Sequence, residues 1–356
     1  MYRSTYVNIY LSNIKNNVKK IIEKHKEYNN YIGVVKADSY GHCDNKVVKA
    51  IIDGGCNYLA VATLDEALEI RNEFKDIPIL CLGLINEEYI DICLENDITI
   101  TVDDYQYVKM ISNKKIKVHI KINTGMNRLG VKTKEDFNKI YNEIINSSLI
   151  LEGIYTHMYN PDDKLITKKQ EETFEHIVSD INLNDIKMIH LGASQYTLNY
   201  PKKKYVNTCR LGIIIYGLVE NDLNLKSTFS LESEVIKINT LDNESVGYDG
   251  KYKATNKELI AVVPIGYADG IIRKNTGRTV FINNKEYPIV GNICMDMMFV
   301  KIDESVSVHD KVIVLKDIDH IIEVSNYLET IPYEIICSIS KRVPRIYLEE
   351  SEENNK

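Results

Sequence analysis

The sequence predicts an α/β fold class, in which an N-terminal (β/α)8 barrel of the TIM type precedes a mostly β C-terminal domain. From residue 31, short β-branched runs alternate with helical patterns, and eight such units fill roughly 200 residues. Strands that alternate with helices pair in parallel, and eight units favour a closed barrel over an open doubly wound sheet. From residue 226 onward, strands separated by turn signals replace this alternation.

The predicted barrel strands are short apolar runs at regular intervals. They span residues 31–36, 58–63, 77–83, 98–102, 117–122, 151–157, 188–193 and 208–213. Between them, segments such as "LDEALEIRNEF" and "TKKQEETFEHIVSDI" place apolar residues on one helical face. In the second part, the two asparagines of "FINNKEYPIV" predict a tight hairpin. We therefore expect a barrel domain at 1–225 and a β-rich domain at 226–356, without a low-complexity linker.

Composition narrows the possible partners and the compartment. With 356 residues and 44% hydrophobic content, the chain can fill two cores, and a net charge of -7 gives no reason to expect nucleic acid or an anionic membrane as partner. No apolar run approaches the roughly 18 to 20 residues that span a bilayer, and the N-terminus lacks a signal-peptide pattern, so we expect a cytoplasmic protein. Seven cysteines without a CxxC pair predict reduced thiols and no metal site.

Charged and polar residues stand where the predicted barrel strands end. Lys36 ends the first strand, Lys121 lies in the fifth, His157 ends the sixth, Ser194 follows the seventh, and Arg210 lies in the eighth. Because the carboxyl ends of barrel strands meet at one mouth, these residues predict a site for an anionic ligand that also needs an amine. A lysine crowded by cations can act as a nucleophilic amine, although Lys36 taken alone could equally extend to solvent.

Six segments resemble, in order and in spacing, the motifs of the alanine racemases that use pyridoxal 5'-phosphate. They are "VVKADSYGH", "KINTGMNRLGV", "RLGIIIYGL", "VPIGYADG", "VGNICMDMM" and "SISKRVPRIY", and they run from residue 34 to residue 347. The resemblance implies a fold type III enzyme that binds pyridoxal phosphate and converts L-alanine to D-alanine, a peptidoglycan precursor. It also implies a homodimer in which the partner's C-terminal domain completes each active site.

The resemblance implies two catalytic residues, Lys36 and Tyr248. Lys36 would hold the cofactor covalently, and the two side chains would serve as the acid and the base on opposite faces of the substrate, as racemisation requires. A phenol is a weak base unless a nearby cation stabilises its anion, and His157 with Arg210 is the family's arrangement for this. Arg210 would also face the pyridine nitrogen and leave it uncharged. Without the motif, Tyr248 would be read as a packing residue.

The remaining site residues are likewise implied by the resemblance. The phosphate would be held by Tyr40, Ser194, Gly212 and Ile213, the last two through backbone N–H groups. Arg128 and the backbone of Met295 would bind the substrate carboxylate, and Tyr267 would line the entrance. Lys121 matches a lysine that is often carbamylated in the family, although an ordinary lysine paired with a carboxylate remains open.

Two positions depart from the family pattern. Ala193 stands where asparagine is common, and Lys341 stands where a phosphate-binding tyrosine is usual. Lys341 could still reach the phosphate, but as a flexible point charge it orients less than a phenol does. Other functions therefore remain open: a racemase of serine or of several small amino acids, a fold type III decarboxylase, or a non-catalytic pyridoxal-phosphate carrier. The intact second domain with Tyr248 argues against the last of these.

Overall fold

The structure, a computed structural model, describes residues 2–192, 194–219 and 222–349. Its first strand, β1 (Tyr6–Tyr10), lies outside the barrel. The barrel strands are β2 (Asn30–Val34), β3 (Tyr58–Val61), β4 (Ile79–Cys81), β5 (Ile98–Val102), β6 (Lys117–Lys121), β7 (Ile150–Tyr155), β8 (Met188–His190) and β9 (Thr208–Leu211). They form one parallel sheet in the order β8-β7-β6-β5-β4-β3-β2-β9. This arrangement confirms the predicted barrel of eight strands.

The two ends of this sheet, β8 and β9, lie side by side and close the barrel. Ile189 N donates to Asn207 Oδ1 at 2.8 Å, and Asn207 N donates to Ile189 O at 3.3 Å. Every residue of β3, β4 and β5 is buried, as expected for parallel strands that are covered on both faces. The strand ends therefore converge on one mouth.

Helices connect the barrel strands. They are α1 (Leu11–Lys24), α2 (Lys36–Gly41), α3 (Asn45–Gly54), α4 (Leu64–Glu73), α5 (Ile90–Glu95), α6 (Tyr105–Met110), α7 (Lys134–Ile145), α8 (Lys164–Ile177) and α9 (Ser194–Asn199). Local sequence sets where several of them begin. Thr63 and Glu66 form a capping box at the start of α4, and the Asp163 side chain accepts two backbone N–H groups at the start of α8.

The second part of the chain is mostly β, as predicted. Its strands are β10 (Phe229–Glu234), β11 (Lys237–Leu241), β12 (Ser245–Val246), β13 (Tyr252–Lys253), β14 (Glu258–Val263), β15 (Thr279–Ile282), β16 (Lys285–Val290), β17 (Met298–Ile302), β18 (Lys311–Leu315) and β19 (Arg345–Leu348), with helices α10 (Ile318–Leu328) and α11 (Pro332–Cys337). Asn283 and Asn284 both have positive φ between antiparallel β15 and β16. The predicted hairpin is therefore confirmed.

The N-terminal strand β1 joins the second sheet rather than the barrel. That sheet has the order β11-β14-β17-β16-β15-β18-β10-β1-β19, and β1 pairs antiparallel with β10 and parallel with β19. The sequence analysis assigned no strand to these residues. The division between residues 225 and 226 stays a prediction, since a chain that begins in one sheet and crosses to the other has no single boundary.

Two properties of the described ranges concern the environment of the chain. Over residues 2–192, 194–219 and 222–349, no helix combines the length and the apolar character needed to cross a bilayer. The seven cysteines, all within those ranges, are free thiols.

A buried carboxylate ties three distant segments together. Arg3 donates to both oxygens of Asp269, at 2.7 and 2.5 Å, and Arg342 Nε lies 3.0 Å from Asp269 Oδ1. Asp269 is fully buried, and its carboxylate also accepts the N–H of Gly266 at 3.0 Å. The N-terminus, the loop around Tyr267 and the segment before β19 therefore share one anchor.

We expect Asp269→Asn to lower the free energy of unfolding by about 3 kcal/mol, because it leaves two arginines without their buried anion. Asp296→Asn is the matched control: Asp296 also pairs with Arg342, at 2.7 Å, but its side chain is 52% exposed. An exposed pair contributes about 1 kcal/mol or less. Urea unfolding of both variants measures the difference, and equal losses would contradict the anchoring role of Asp269.

Candidate active site

A cavity of about 240 Å³ opens at the barrel mouth. Its walls combine side chains from the ends of several strands. Seven of the residues predicted from the sequence line it: Lys36, Tyr40, Lys121, Arg128, His157, Arg210 and Gly212. The structure thus brings together two amines, two guanidinium groups, an imidazole and a phenol. Among the described residues, no three His, Cys, Asp or Glu side chains form a group that could hold a metal ion.

Lys36 begins α2, which is a left-handed turn rather than a regular right-handed helix. The four residues after it, Ala37 to Tyr40, all have left-handed backbone angles, with φ between 52° and 56°. Each left-handed L-residue costs roughly 1–2 kcal/mol, so neighbouring contacts must hold this turn. Glu66 Oε1 accepts the N–H of Ala37 at 2.7 Å, and its other oxygen accepts the N–H of Ala62 at 2.7 Å.

The second domain supports the same turn from the other side. Helix α11 packs against α2, and a Cβ on Gly41, which has φ +78°, would lie only 2.4 Å from the carbonyl oxygen of Ile336. Tyr333 of α11 stands over Tyr40, with ring centroids 6.0 Å apart. Residues of the second domain therefore support the turn that brings Tyr40 to the cavity.

The lysines of the cavity are weakened as cations. Burial, and then the charge of Arg128, lower the pKa of Lys36 below its usual range. The same two causes, in the same order, lower the pKa of Lys121 to about 8. A neutral amine is the nucleophilic form of lysine, so this environment favours reaction of the amine with a carbonyl group or with carbon dioxide.

Arg210 is the most buried cation of the site, with 2% of its surface exposed. Its guanidinium donates to the carbonyl oxygens of Thr156 and Leu191, at 2.8 and 3.2 Å, and to His190 Nδ1 at 2.7 Å. It also lies 3.3 Å from His157 Nδ1. Burial, with the charge of Arg210 as the next cause, lowers the pKa of His157 to about 3, so this imidazole is neutral.

Gly212 and its neighbours form an open cradle beside the cavity. The Ser194 hydroxyl accepts the N–H groups of Gly212 and Ile214, both at 3.2 Å, so its own hydrogen must point elsewhere. A Cβ on Gly212 would lie 3.1 Å from the Tyr40 hydroxyl and 3.5 Å from the Ser194 hydroxyl. The space between these two hydroxyls is therefore open because residue 212 is glycine, and Ile213 continues the chain from it.

The two departures from the family pattern contribute differently. Ala193 lies outside the described residues. Lys341 does not line the cavity: its ammonium pairs with Asp38 at 3.0 Å, and 78% of its side chain is exposed. The ion pair joins Lys341 to the turn that carries Tyr40. The predicted contact of Lys341 with a phosphate stays a prediction.

Tyr248, Tyr267 and Met295 lie on the second domain and do not line the cavity of Lys36. Tyr248 and Tyr267 border a separate, open recess of about 380 Å³. They are 67% and 43% exposed, and Met295 is 52% exposed. Within one chain, the two predicted catalytic residues are therefore in different pockets.

Tyr248 is nevertheless held in a defined position. It begins a short 3-10 turn after Gly247, whose φ is +72°, and a Cβ there would lie 2.8 Å from the Phe299 ring. Asn292 Nδ2 donates to the carbonyl oxygen of Tyr248 at 3.0 Å and to Asp249 Oδ2 at 2.9 Å. A tyrosine that is both exposed and firmly held suits a surface that meets another molecule.

Three residues that organise the site were missed in the sequence analysis. Glu66 holds the turn after Lys36, His190 contacts Arg210, and Tyr155 stacks on His190 with ring centroids 4.7 Å apart. The capping-box spacing of "TLDE" was a signal for Glu66. The two aromatic residues follow the inward positions of barrel strands, where a single sequence does not distinguish a packing residue from a functional one.

Comparison with known proteins identifies the family. The family model "Alanine racemase, N-terminal domain" matches residues 9–220, and "Alanine racemase, C-terminal domain" matches residues 228–347. The chain belongs to the alanine racemase family. An alanine racemase of Halalkalibacterium halodurans is 36% identical and is aligned over 99% of this chain and 97% of its own length. These matches confirm the family that the motifs predicted.

Solved structures of alanine racemases share the fold. The crystal structure from E. faecalis has a TM-score of 0.92 at 32% identity and covers 97% of this chain and 98% of its own. The alanine racemase from Bacillus anthracis with bound L-Ala-P has a TM-score of 0.91 at 32% identity and covers both chains fully. The predicted order of barrel and β domain is thus confirmed by both comparison and structure.

Alanine racemases depend on pyridoxal 5'-phosphate, and the residues present here fit that cofactor. The open cradle at Gly212, between the hydroxyls of Tyr40 and Ser194, has the polar groups that a phosphate requires. Lys36 offers an amine with a lowered pKa for the cofactor's aldehyde carbon, and Arg210 offers guanidinium hydrogens within the same cavity. The predicted cofactor is therefore confirmed.

We expect Lys121→Met to raise the free energy of unfolding of the cofactor-free protein at pH 7 by about 1–3 kcal/mol. The lysine pKa is about 8 when folded against 10.5 as the ordinary value, so the unfolded chain binds this proton more tightly. The wild-type protein then gains stability as the pH rises from 8 to 10.5, and the advantage of the variant disappears over that interval.

Urea unfolding at pH 7 and at pH 10.5, in buffer free of carbon dioxide, measures this effect. Lys117→Met is the matched control at the other end of β6, where the ammonium pairs with Asp97 at 2.7 Å and is partly exposed. Its effect should stay below about 1 kcal/mol at both pH values. A Lys121→Met protein that is less stable than wild type at pH 7 would show that the charged Lys121 does not destabilise the folded state.

Proposed function

We propose that this protein is an alanine racemase, which interconverts L-alanine and D-alanine with pyridoxal phosphate. The single observation that supports this best is the barrel-mouth cavity, in which Lys36, Arg210 and the Gly212 cradle stand together in a chain of the alanine racemase family. The named relatives are alanine racemases over nearly their full length, which favours alanine over serine as substrate.

When bound, the cofactor withdraws electrons from the substrate and makes its α-hydrogen acidic. Lys36 Nζ takes or returns the proton on one face of the α-carbon, and Tyr248 Oη does so on the other, because inversion needs an acid and a base on opposite sides. Burial and the charge of Arg128 lower the pKa of Lys36, so at neutral pH more of its amine is unprotonated and able to accept a proton than in a free lysine.

The other residues bind and orient. Tyr40, Ser194, Gly212 and Ile213 would hold the phosphate, and Lys341, which pairs with Asp38 on the turn that carries Tyr40, would add positive charge. Arg210 would donate to the ring nitrogen and, because it is still a cation at neutral pH, would leave that nitrogen uncharged. A neutral ring is a weaker electron sink, so return of the proton is favoured over transamination.

Substrate binding involves a further group of residues. Arg128 pairs with the substrate carboxylate, the backbone of Met295 supports it, and Tyr267 closes the entrance. Lys121, whose pKa of about 8 leaves a fraction of neutral amine, is suited to carbamylation. The resulting anion would orient Arg128, which faces the same cavity.

The active unit in this proposal is a homodimer. Tyr248, Tyr267 and Met295 are exposed on one face of the second domain, and they do not line the cavity that holds Lys36 in their own chain. A head-to-tail pair brings this face of each chain over the barrel mouth of the other. The enzyme would act in the cytoplasm and supply D-alanine for peptidoglycan.

The test of the function is a racemisation assay. The purified protein with pyridoxal phosphate should convert either enantiomer of alanine to an equal mixture, resolved by chiral chromatography, with serine as a slower substrate. Lys36→Ala should lower the rate at least about 10³-fold and abolish the cofactor label that borohydride fixes on the protein. Lys117→Ala should retain both. A borohydride label on another lysine, or no turnover of alanine by the wild-type protein, would reject the proposal.

The dimeric active site is tested by mixing two inactive variants. Lys36→Ala and Tyr248→Phe subunits, allowed to exchange, form heterodimers in which one of two composite sites has both residues intact. Activity should return to about half the wild-type value per heterodimer. The control is a double variant, Lys36→Ala with Tyr248→Phe, mixed with wild type, in which each heterodimer has no intact composite site. Absence of recovery after mass spectrometry has verified exchange would place both residues in one chain's site.

A further inference from the structure

A line of buried polar side chains runs through the barrel interior below Arg210. We call it the Arg210–Glu152 line; its members are Arg210 on β9, His190 on β8, His119 on β6 and Glu152 on β7. Their exposed fractions are 2%, 0%, 0% and 4%. Arg210 NH1 and His190 Nδ1 are 2.7 Å apart, and His190 Nε2 and His119 Nδ1 are 3.1 Å apart. His119 Nε2 lies 3.5 Å from Glu152 Oε2.

Chemistry fixes where each hydrogen of this line lies. A guanidinium nitrogen only donates, so His190 Nδ1 accepts and its hydrogen is on Nε2. His119 Nδ1 then accepts from His190, and its hydrogen is on Nε2, directed toward Glu152. This nitrogen has no hydrogen-bond partner within the standard distance among the described residues, so the carboxylate at 3.5 Å is its one acceptor in reach.

The protonation states of His190, His119 and Glu152 agree with hydrogen bonds that are donated from Arg210 toward Glu152. Burial, as the largest cause, lowers the pKa values of His190 and His119, so both rings are neutral and each has one hydrogen to place. Burial alone would raise the pKa of Glu152, but the nearby His119 ring and the hydrogen bonds from Lys187 and Tyr58 outweigh it and lower that pKa. The line therefore has a cation at the mouth, an anion at the far end and two neutral imidazoles between them.

The barrel is built around these rings. A Cβ on Gly153 would lie 2.6 Å from His119 Cε1 and Nδ1, so glycine is needed there for the imidazole to fit. Tyr155 stacks on His190 at an interplanar angle of 9°. The far end is fixed by Tyr58, which donates to Glu152 Oε2 at 2.7 Å, and by Lys187, which donates to Oε1 at 2.8 Å.

We propose that Glu152, acting through His119 and His190, is a positioning residue that holds Arg210 as a donor directed at the cofactor ring. The inference rests on the proposed function, since it assigns Arg210 to the ring nitrogen. A carboxylate only accepts hydrogen bonds, so it enforces one direction along the line. If that direction reversed, His190 would direct its Nδ1 hydrogen at Arg210 NH1, and two donors would repel each other.

The chain contains a close control for Glu152. Glu171 is also a buried carboxylate of the barrel, 8% exposed, and it too has one tyrosine and one lysine as donors. Tyr196 donates to it at 2.7 Å and Lys203 at 2.8 Å. These two contacts match, in kind and distance, those that Tyr58 and Lys187 make with Glu152, which also accepts from Thr99 at 3.2 Å. No histidine connects Glu171 to Arg210 among the described contacts. Glu152→Gln and Glu171→Gln therefore remove the same charge from similar surroundings.

The first experiment determines which ring nitrogen of His190 and of His119 is protonated. Magic-angle-spinning ¹⁵N NMR of protein labelled in its histidine rings, with and without pyridoxal phosphate, distinguishes a bare ring nitrogen from a protonated one. In wild type and in Glu171→Gln, His190 and His119 should both have a bare Nδ1, with signals assigned through variants of each histidine. In Glu152→Gln, the Nδ1-protonated forms should appear. A protonated Nδ1 on His190 in the wild-type protein overturns the proposal even if Glu152→Gln does not fold.

The second arm measures the consequence for Arg210. With alanine as substrate, transfer of the amino group to the cofactor yields pyruvate and pyridoxamine phosphate, which chromatography quantifies against racemised alanine. Glu152→Gln should raise the ratio of transamination to racemisation about tenfold, because a displaced Arg210 no longer blocks protonation of the ring nitrogen. Glu171→Gln should leave the ratio unchanged.

The two arms distinguish the inference from the function on which it rests. A wild-type protein that does not racemise alanine refutes the proposed function, while the NMR arm still decides the direction of the line. Altered tautomers with an unchanged ratio would show that Glu152 orders the histidines without positioning Arg210, and this outcome refutes the inference alone. An equal rise of the ratio in both glutamine variants refutes it as well.

Discussion

Arg210 introduces a full positive charge into the interior of the barrel, where loss of water costs several kcal/mol unless hydrogen bonds replace it. Groups around the guanidinium supply these hydrogen bonds. The carbonyl oxygens of Thr156 and Leu191 accept from its guanidinium, and His190 accepts a third hydrogen. The ends of three neighbouring strands are therefore arranged around one cation. Burial first, and then the charges of Arg128 and Arg210, lower the pKa values of the two cavity lysines, and this cationic cavity suits an anionic, carbonyl-bearing ligand.

The site also depends on contact between the two halves of the chain. The barrel supplies Lys36, but α11 of the second part packs against the turn that positions it. The fully buried Asp269 joins the N-terminal segment to the loop of Tyr267. The strand β1 precedes the barrel in the chain but belongs to the second sheet. Strands of that sheet therefore come both before and after the barrel in the sequence. The residues predicted for the site are thus divided between the two halves.

Strands and their ends could be read from the sequence, because parallel strands buried on both faces appear as continuous apolar runs. This placed Lys36 and Arg210 at one mouth without any comparison. The left-handed turn was not predictable, since it opposes local preference and is stabilised by contacts from α4 and α11. Similarly, β1 pairs only with strands far along the chain. The hydrogen bonds of His190 and His119 depend on which strands are neighbours, which a single sequence does not specify.

The left-handed turn from Ala37 to Tyr40 has a consequence for the order in which the protein is made. Its backbone is unfavourable in isolation, and one of its supports, the carbonyl of Ile336 against Gly41, comes from near the end of the chain. During synthesis, the barrel strands leave the ribosome well before that support exists. A growing chain therefore contains Lys36 early but acquires the contact of α11 with the turn after it only when α11 has emerged, so the turn gains its full set of supports late in synthesis.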